Sequence, residues 1–354
     1  MSGFKKYYPT ELTGNAARHL NTLTGLICGI IRSNRVNLPA IATEIPHCGK
    51  EESKIMQMKR WLSNEHIDAK VYFLPFLQCL LQSLAKQTLV LVIDGSVVGR
   101  GCVCLMISVV YKNRALPLLW AVRTGKKGHF PETMHIELIK AVAELIPQNS
   151  DVIVLGDGEF DGAHWLKTIQ QLGWCYVCRT AENSVFYEEG ERFVIRDVCP
   201  LRGQCSGFEN VYFTEQQYGP VMAVVWWDKK YQKPIYLVTN LPMADEACHW
   251  YQKRFRIETL FSDHKSRGFH LHKSHLSDPT RISRLMIATS LAYIWLIYLG
   301  EYALKTGLDA LIHRQDRCDL SLFQLGKRLL ARFLCDGCPL PELCFVMLGN
   351  ALNE

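Results

Sequence analysis

The chain has 354 residues, 48% hydrophobic and 21% charged, with Lys and Arg exceeding Asp and Glu by six. That is ordinary globular composition, long enough for two or three domains, and it excludes a low-complexity array. The mild basicity permits a nucleic-acid partner without requiring one. Fourteen cysteines and an opening MSGFKKYYPTEL with no apolar leader run point to reduced thiols in a cytoplasm.

Residues 1–85 read as helical throughout, with breaks near Pro39 and Pro46–Gly49. Leu38–Ile45, a PHCG break and Glu51–Ser63 (EESKIMQMKRWLS) have the pattern of two helices joined by a turn. The second carries Lys54, Lys59 and Arg60. Two readings stand: a helix-turn-helix that enters a DNA major groove, or a plain helical bundle.

From Thr88 the periodicity changes. TLVLVIDGS is a continuous apolar run closed by Asp94-Gly95-Ser96, the pattern of a buried strand with a carboxylate near its end. Val103–Lys112 and Ala115–Arg123, joined by Asn113-Arg114, extend it into a three-stranded antiparallel meander. Pro131-Glu132 opens an amphipathic helix to about Ile146. Asp151–Leu155 is a second buried strand, ending in Gly156-Asp157-Gly158. A helix at His164–Leu172 and a strand at Trp174–Arg179 follow. Residues 184–233 contain short β-like pieces (SVFYEEG, ERFVIRDV, NVYFTEQQ, PVMAVVWWD) and read as a β-rich insertion; Pro234–Asn240 is a further strand.

The order β-β-β-α-β-α-β with a later helix is that of a ribonuclease-H-like α/β fold. In that layout strands one and four are neighbours, so Asp94 and Asp157 lie side by side and a third acid arrives from a later helix. Each aspartate also has a plain reading as a turn residue. Glu159 and Asp161 compete with Asp157, which directly follows the buried run. Three carboxylates from three elements make an all-oxygen pocket suited to Mg2+ or Mn2+ rather than zinc.

The third acid is expected from Tyr251–Lys265, YQKRFRIETLFSDHK, which has a helical period and no Gly or Pro. At about 100° per residue, Tyr251, Arg254, Glu258 and Lys265 fall near one stripe of a helix. Ordinary surface pairing, such as Arg254 with Glu258, is the bland reading. Residues 249–284 are the strongest basic stretch, with Lys253, Arg254, Arg256, Lys265, Arg267, Lys273, Arg281 and Arg284 against Glu258, Asp263 and Asp278. His264, His270, His272 and His275 add donors. A DNA groove there would bind in a strongly salt-dependent way. Leu285–Leu299 is shorter than the about 20 residues of a membrane span and reads as a buried core helix. Cys175 and Cys178 in WCYVC fall on opposite faces of a strand as free thiols, and Cys335, Cys338 and Cys344 are a candidate zinc group.

Tyr251, Arg254, Glu258 and Lys265 satisfy the pattern Y-x2-R-x3-E-x6-K in full, just after TNLP at Thr239–Pro242. With VIDGS at the first aspartate and LGDGEFDGAHWLKTIQQLGWCYVCR at the second, residues from about 85 to 300 resemble the DDE transposases of the insertion-sequence-four family, the bacterial cut-and-paste group. The resemblance implies Asp94, Asp157 and Glu258 as catalytic triad and as ligands of two Mg2+ (or Mn2+) ions. It implies binding to double-stranded transposon terminal inverted repeats, cleavage, and joining of the 3′-OH ends to target DNA by two-metal phosphoryl transfer. Tyr251, Arg254 and Lys265 would grip phosphates beside the cut, with Lys253 and Arg256 extending the DNA contact. A homodimer on paired ends is implied, and no membrane.

Members that pass through a DNA hairpin place a Trp on the strand before the TNLP segment, to receive a flipped base. Ile235 stands there in this chain, with Tyr236 beside it and Trp226-Trp227 one strand earlier. Tyr236 and Trp226 are the candidate stacking platforms, and core packing is the alternative. The expected division is a helical DNA-binding domain at 1–85, a ribonuclease-H-like catalytic domain at 86–183 and 234–305, a β-rich insertion at 184–233 and a helical C-terminal region at 306–354. The setting would be a bacterial cytoplasm, at the nucleoid. The rivals are a metal-dependent nuclease or resolvase that cuts without joining, and a transposase-derived DNA-binding regulator.

Overall fold

The structure, a computed structural model, describes residues 7–8, 13–45, 49–126, 130–314 and 319–349. Its first strands, β1 (Leu89–Gly99), β2 (Cys102–Tyr111) and β3 (Arg114–Thr124), form the expected antiparallel meander. All residues of β2 except Val110 are buried, as a strand covered on both faces requires. β4 (Val152–Gly156) pairs parallel to β1 on its other side, and β5 (Cys175–Arg179) pairs parallel to β4. The order β3-β2-β1-β4-β5 is the ribonuclease-H-like arrangement anticipated from the sequence.

The segment 184–233 is β-rich, but it does not form a separate layer. β6 (Val185–Glu188), β7 (Glu191–Val194), β8 (Gln204–Phe213) and β9 (Tyr218–Trp227) join the same sheet through β10 (Ile235–Thr239). β10 runs antiparallel to both β5 and β9, so the open edge of β5 is satisfied by backbone pairing rather than by a domain contact. The result is a ten-stranded sheet ordered β3-β2-β1-β4-β5-β10-β9-β8-β6-β7.

Before the sheet lie α1 (Gly14–Ser33), α2 (Leu38–Glu44), α3 (Glu51–Ser63), α4 (Ala69–Tyr72) and α5 (Leu74–Leu84); within it lie α6 (Glu132–Ala143) and α7 (Ala163–Gln171). After it come α8 (Ala244–Tyr251), α9 (Arg256–His264), α10 (Pro279–Thr306), α11 (Leu322–Asp336) and α12 (Phe345–Gly349). One contiguous cluster of buried apolar side chains runs from Tyr8 to Leu348, so the amino-terminal helices share the core of the sheet. Arg284 of α10 donates to the carbonyls of Leu62 and Ile67 at 2.9 and 3.2 Å.

α10 is long and apolar enough to cross a membrane by length and composition, yet 83% of its apolar window is buried inside the protein. It is the expected core helix. α11 crosses it so closely that a Cβ on Gly326 would sit 1.9 Å from the Leu296 carbonyl oxygen, a contact only glycine permits.

The two helices of the possible DNA-reading motif are present as α2 and α3; Pro46–Cys48 between them lie outside the described residues. Lys54 does not face outward for DNA. Its Nζ donates to the Ile45 carbonyl at 2.9 Å, satisfying the end of α2, while Lys59 and Arg60 are exposed.

Candidate catalytic cleft

The parallel register of β1 and β4 pairs Leu91 with Val154 and Val92 with Leu155. Two residues further along stand Asp94, midway along β1, and Asp157, just past the end of β4, so the pairing brings them to one place on neighbouring strands. A cleft of about 590 Å³ opens there, and its lining includes Asp94, Ser96, Asp157, Glu159, Arg254, Glu258 and Lys265. All three expected acids therefore reach one cavity from three elements.

Each aspartate also holds local backbone. Asp94 Oδ1 accepts from the Gly95 N–H at 2.7 Å, and Asp157 Oδ1 accepts from the Glu159 N–H at 3.0 Å. Turn roles and cleft positions thus coexist. Gly95 is required because Phe130 closes over it: a Cβ would lie 2.6 Å from the ring. The competitors separate. Asp161 accepts from Thr180 at 2.7 Å and does not line the cleft, whereas Glu159 does, held by the Phe130 N–H and facing His135 at 3.8 Å.

The segment 251–265 is not one helix. α8 ends at Tyr251, a 3-10 turn spans Gln252–Phe255, and α9 ends at His264. Lys265 leaves helical geometry altogether, at φ −101° and ψ −112°. The expected single stripe is corrected accordingly, and tertiary contacts place its members instead. Arg254, almost wholly buried, puts one nitrogen 2.7 Å from Glu258 and another 3.9 Å from Asp94. Lys265 Nζ donates to Ser96 Oγ on β1. Ser96 was not singled out from sequence, although it closes the same DGS run.

Tyr251 is buried in this structure. Its ring is 1% exposed, stands edge-on to Phe255 and is not part of the cleft lining. Burial pushes its phenol up to about 12. Tyr236 and Trp226 are buried as well, at 7% exposure each. Trp226 packs edge-on against Tyr231 at 5.2 Å, so in this state neither is an open stacking platform; both are core payload. Lys253 sits over the Trp250 ring at 4.0 Å, and Arg256 is half-exposed outside the cleft lining.

Electrostatically the cleft is strained in one direction. Burial first, then the charge of Asp157, raises the Asp94 carboxyl to about 6, against the opposing pull of the Gly95 N–H and Arg254. In the described state a guanidinium bridges Asp94 and Glu258. Among the described residues no three His, Cys, Asp or Glu side chains are yet drawn together as a ready ligand group. Among the described residues Cys335, Cys338 and Cys344 form no preformed zinc site; all three are exposed free thiols. Cys175 and Cys178 are free, as expected.

A ribonuclease-H-like sheet with acids on β1, after β4 and on a late helix defines a class of phosphodiester-processing core. Residues 86–295, which include Asp94, Asp157 and Glu258, match the family model of the transposase DDE domain, and the chain belongs to that family. Among solved structures, the piggyBac transposase in a synaptic complex with hairpin DNA shares the fold, with 12% identity and a TM-score of 0.52. That match covers 99% of this chain and 80% of the other. Human ENDOV aligns at 15% identity over 60% of this chain and 90% of its own, with a TM-score of 0.27. No curated protein matches the sequence.

Proposed function

We propose that the protein is a cut-and-paste DNA transposase of the insertion-sequence-four type, acting as a homodimer on double-stranded transposon ends. The observation that carries this reading is the β1–β4 register, which sets Asp94 beside Asp157 in the cavity that Glu258 and Lys265 also line. The fold shared with piggyBac transposase, whose complex contains hairpin DNA, supports DNA as the partner.

The donors facing the cleft are carboxylate oxygens, which fit hard divalent ions. Asp94, Asp157 and Glu258 would hold two Mg2+ or Mn2+ ions, which when bound supply an activated oxygen nucleophile and offset charge on the leaving 3′ oxygen. The raised Asp94 carboxyl fits this role, since a cation relieves the repulsion between the two aspartates. Arg254 now compensates Asp94 and Glu258; with that charge met elsewhere, its fork would turn to the scissile phosphate. Lys265, fixed by Ser96 at the cleft wall, would add a point charge on the next phosphate. Tyr251, buried, would support this machinery.

The test is incubation of the protein with linear DNA carrying the element's own ends, a target plasmid and Mg2+. The wild type should cut at the ends and join 3′-OH termini to the plasmid. Glu258→Ala should lose cleavage by at least about 1,000-fold while still binding the ends. Cleavage without joining would assign the nuclease reading instead, and normal cutting by Glu258→Ala would remove Glu258 from the site.

A further inference from the structure

A second cavity, of about 320 Å³, lies where the amino-terminal helices meet the loop that follows Lys265. It is lined by Arg35, Val36, Asn37, His270, Lys273 and His275. Four of these six are cationic or can become so, and no acid lines the cavity. Arg100, at the end of β1, joins the group through a 3.1 Å contact between its Nη2 and His275 Nδ1. Arg35 and Lys273 are exposed, and among the described residues no carboxylate pairs with either. The cationic neighbours of His270 include Lys273, Arg35 and Lys327. One polar atom of the lining, His270 Nδ1, is shielded without a hydrogen-bond partner; as the N–H form it can donate to an anion.

The cavity is tied to the catalytic cleft at both ends. The His270 N–H donates to the Lys265 carbonyl at 2.8 Å, so the loop leaves the cleft and enters the cavity within five residues. The Arg100 N–H donates to the Leu276 carbonyl at 3.0 Å, clasping the loop to β1. From Asp94 to Arg100 the strand spans roughly 20 Å at about 3.3 Å per residue.

We infer that this cavity is a second anion site, taking a backbone phosphate of the duplex at a distance from the reacting phosphate. It rests on the transposase reading and deepens it: one phosphate would bridge Arg35 of the helical region and Lys273 of the catalytic region. A contact to the phosphate carries no sequence information, so its contribution is positional and independent of sequence.

Fluorescence anisotropy tests this with two duplexes, one carrying the element's own end and one of unrelated sequence, without Mg2+ and over a range of salt. Each phosphate contact contributes about 0.9 to the slope of log affinity against log salt. The double variant Arg35→Gln, Lys273→Gln should weaken both duplexes by about tenfold and lower the slope by about 1. The single variant Lys273→Gln should lower it by about half as much, and the charge-keeping Arg35→Lys should retain it. Thermal melting of the variants checks that they are folded. A folded double variant with the wild-type slope overturns the proposal while leaving the transposase reading intact. So does protection of the cavity by inorganic phosphate with no change in duplex slope, which marks a small-anion site. If the wild type binds neither duplex, both readings fall together.

Discussion

The cleft and the second cavity lie on the same loop, yet they balance charge in opposite ways. In the cleft Arg254 and Lys265 stand among Asp94, Asp157, Glu159 and Glu258, and a buried guanidinium ties two of the acids. In the cavity Arg35, Lys273, His270 and His275 stand with no acid in the lining. The cleft is internally compensated but crowded with carboxylates, so it favours added cations. The cavity is uncompensated, so it favours an anion. A metal-dependent phosphodiester enzyme needs both, one to do chemistry and one to hold the polymer.

The largest break in that contrast is removal of Arg254. Arg254→Ala leaves Asp94 and Glu258 without their shared cation. Because Asp94 is mostly buried and Glu258 mostly exposed, the stability loss in metal-free protein should be about 1–3 kcal/mol at pH 8. The loss should shrink at pH 5, where Asp94 carries its proton, as urea melts at the two pH values would show. End cleavage should fall by at least about 100-fold, with only partial rescue by Arg254→Lys, which lacks the planar fork.

A second effect, on stability without any loss of a side chain, concerns Asp94 alone. Its folded-state pKa, about 6, lies above its ordinary value of 3.8. Its proton therefore stabilises the folded state fully below about pH 4, and that stabilisation is lost as pH rises through 6. Each unit of pKa is worth about 1.4 kcal/mol, so metal-free wild type should lose on the order of 2–3 kcal/mol from this group between those limits. Asp94→Asn should lack that decline. Added Mg2+ or Mn2+ should restore stability at pH 8 to the wild type and not to the variant.

The same contrast shows what local pattern can carry. β1 and β4 were legible because each is an unbroken apolar run that stops at an aspartate, a signal carried by consecutive residues. The core helix α10 was legible for the same reason. The 251–265 segment was not, since nothing in it marks the 3-10 turn; there Arg254 meets Asp94 from 160 positions away in sequence. Periodicity put Tyr251 near the same stripe as Glu258, and it carries no signal for the packing that buries the ring. The extension of the sheet through β10 to β7 likewise depends on which edge each short strand finds. Arg35 and Lys273 lie far apart in the chain, and only the fold brings them to one cavity.

Iron-directed cleavage tests the central claim most directly, that three distant acids share one cation site. Fe2+ replacing Mg2+, with ascorbate and peroxide, cuts the backbone beside the bound ion. Fragments ending near residues 94, 157 and 258 are expected together, all suppressed by excess Mg2+ and all lost in Asp157→Asn. Cuts at one of these positions alone, or at none, would contradict the account.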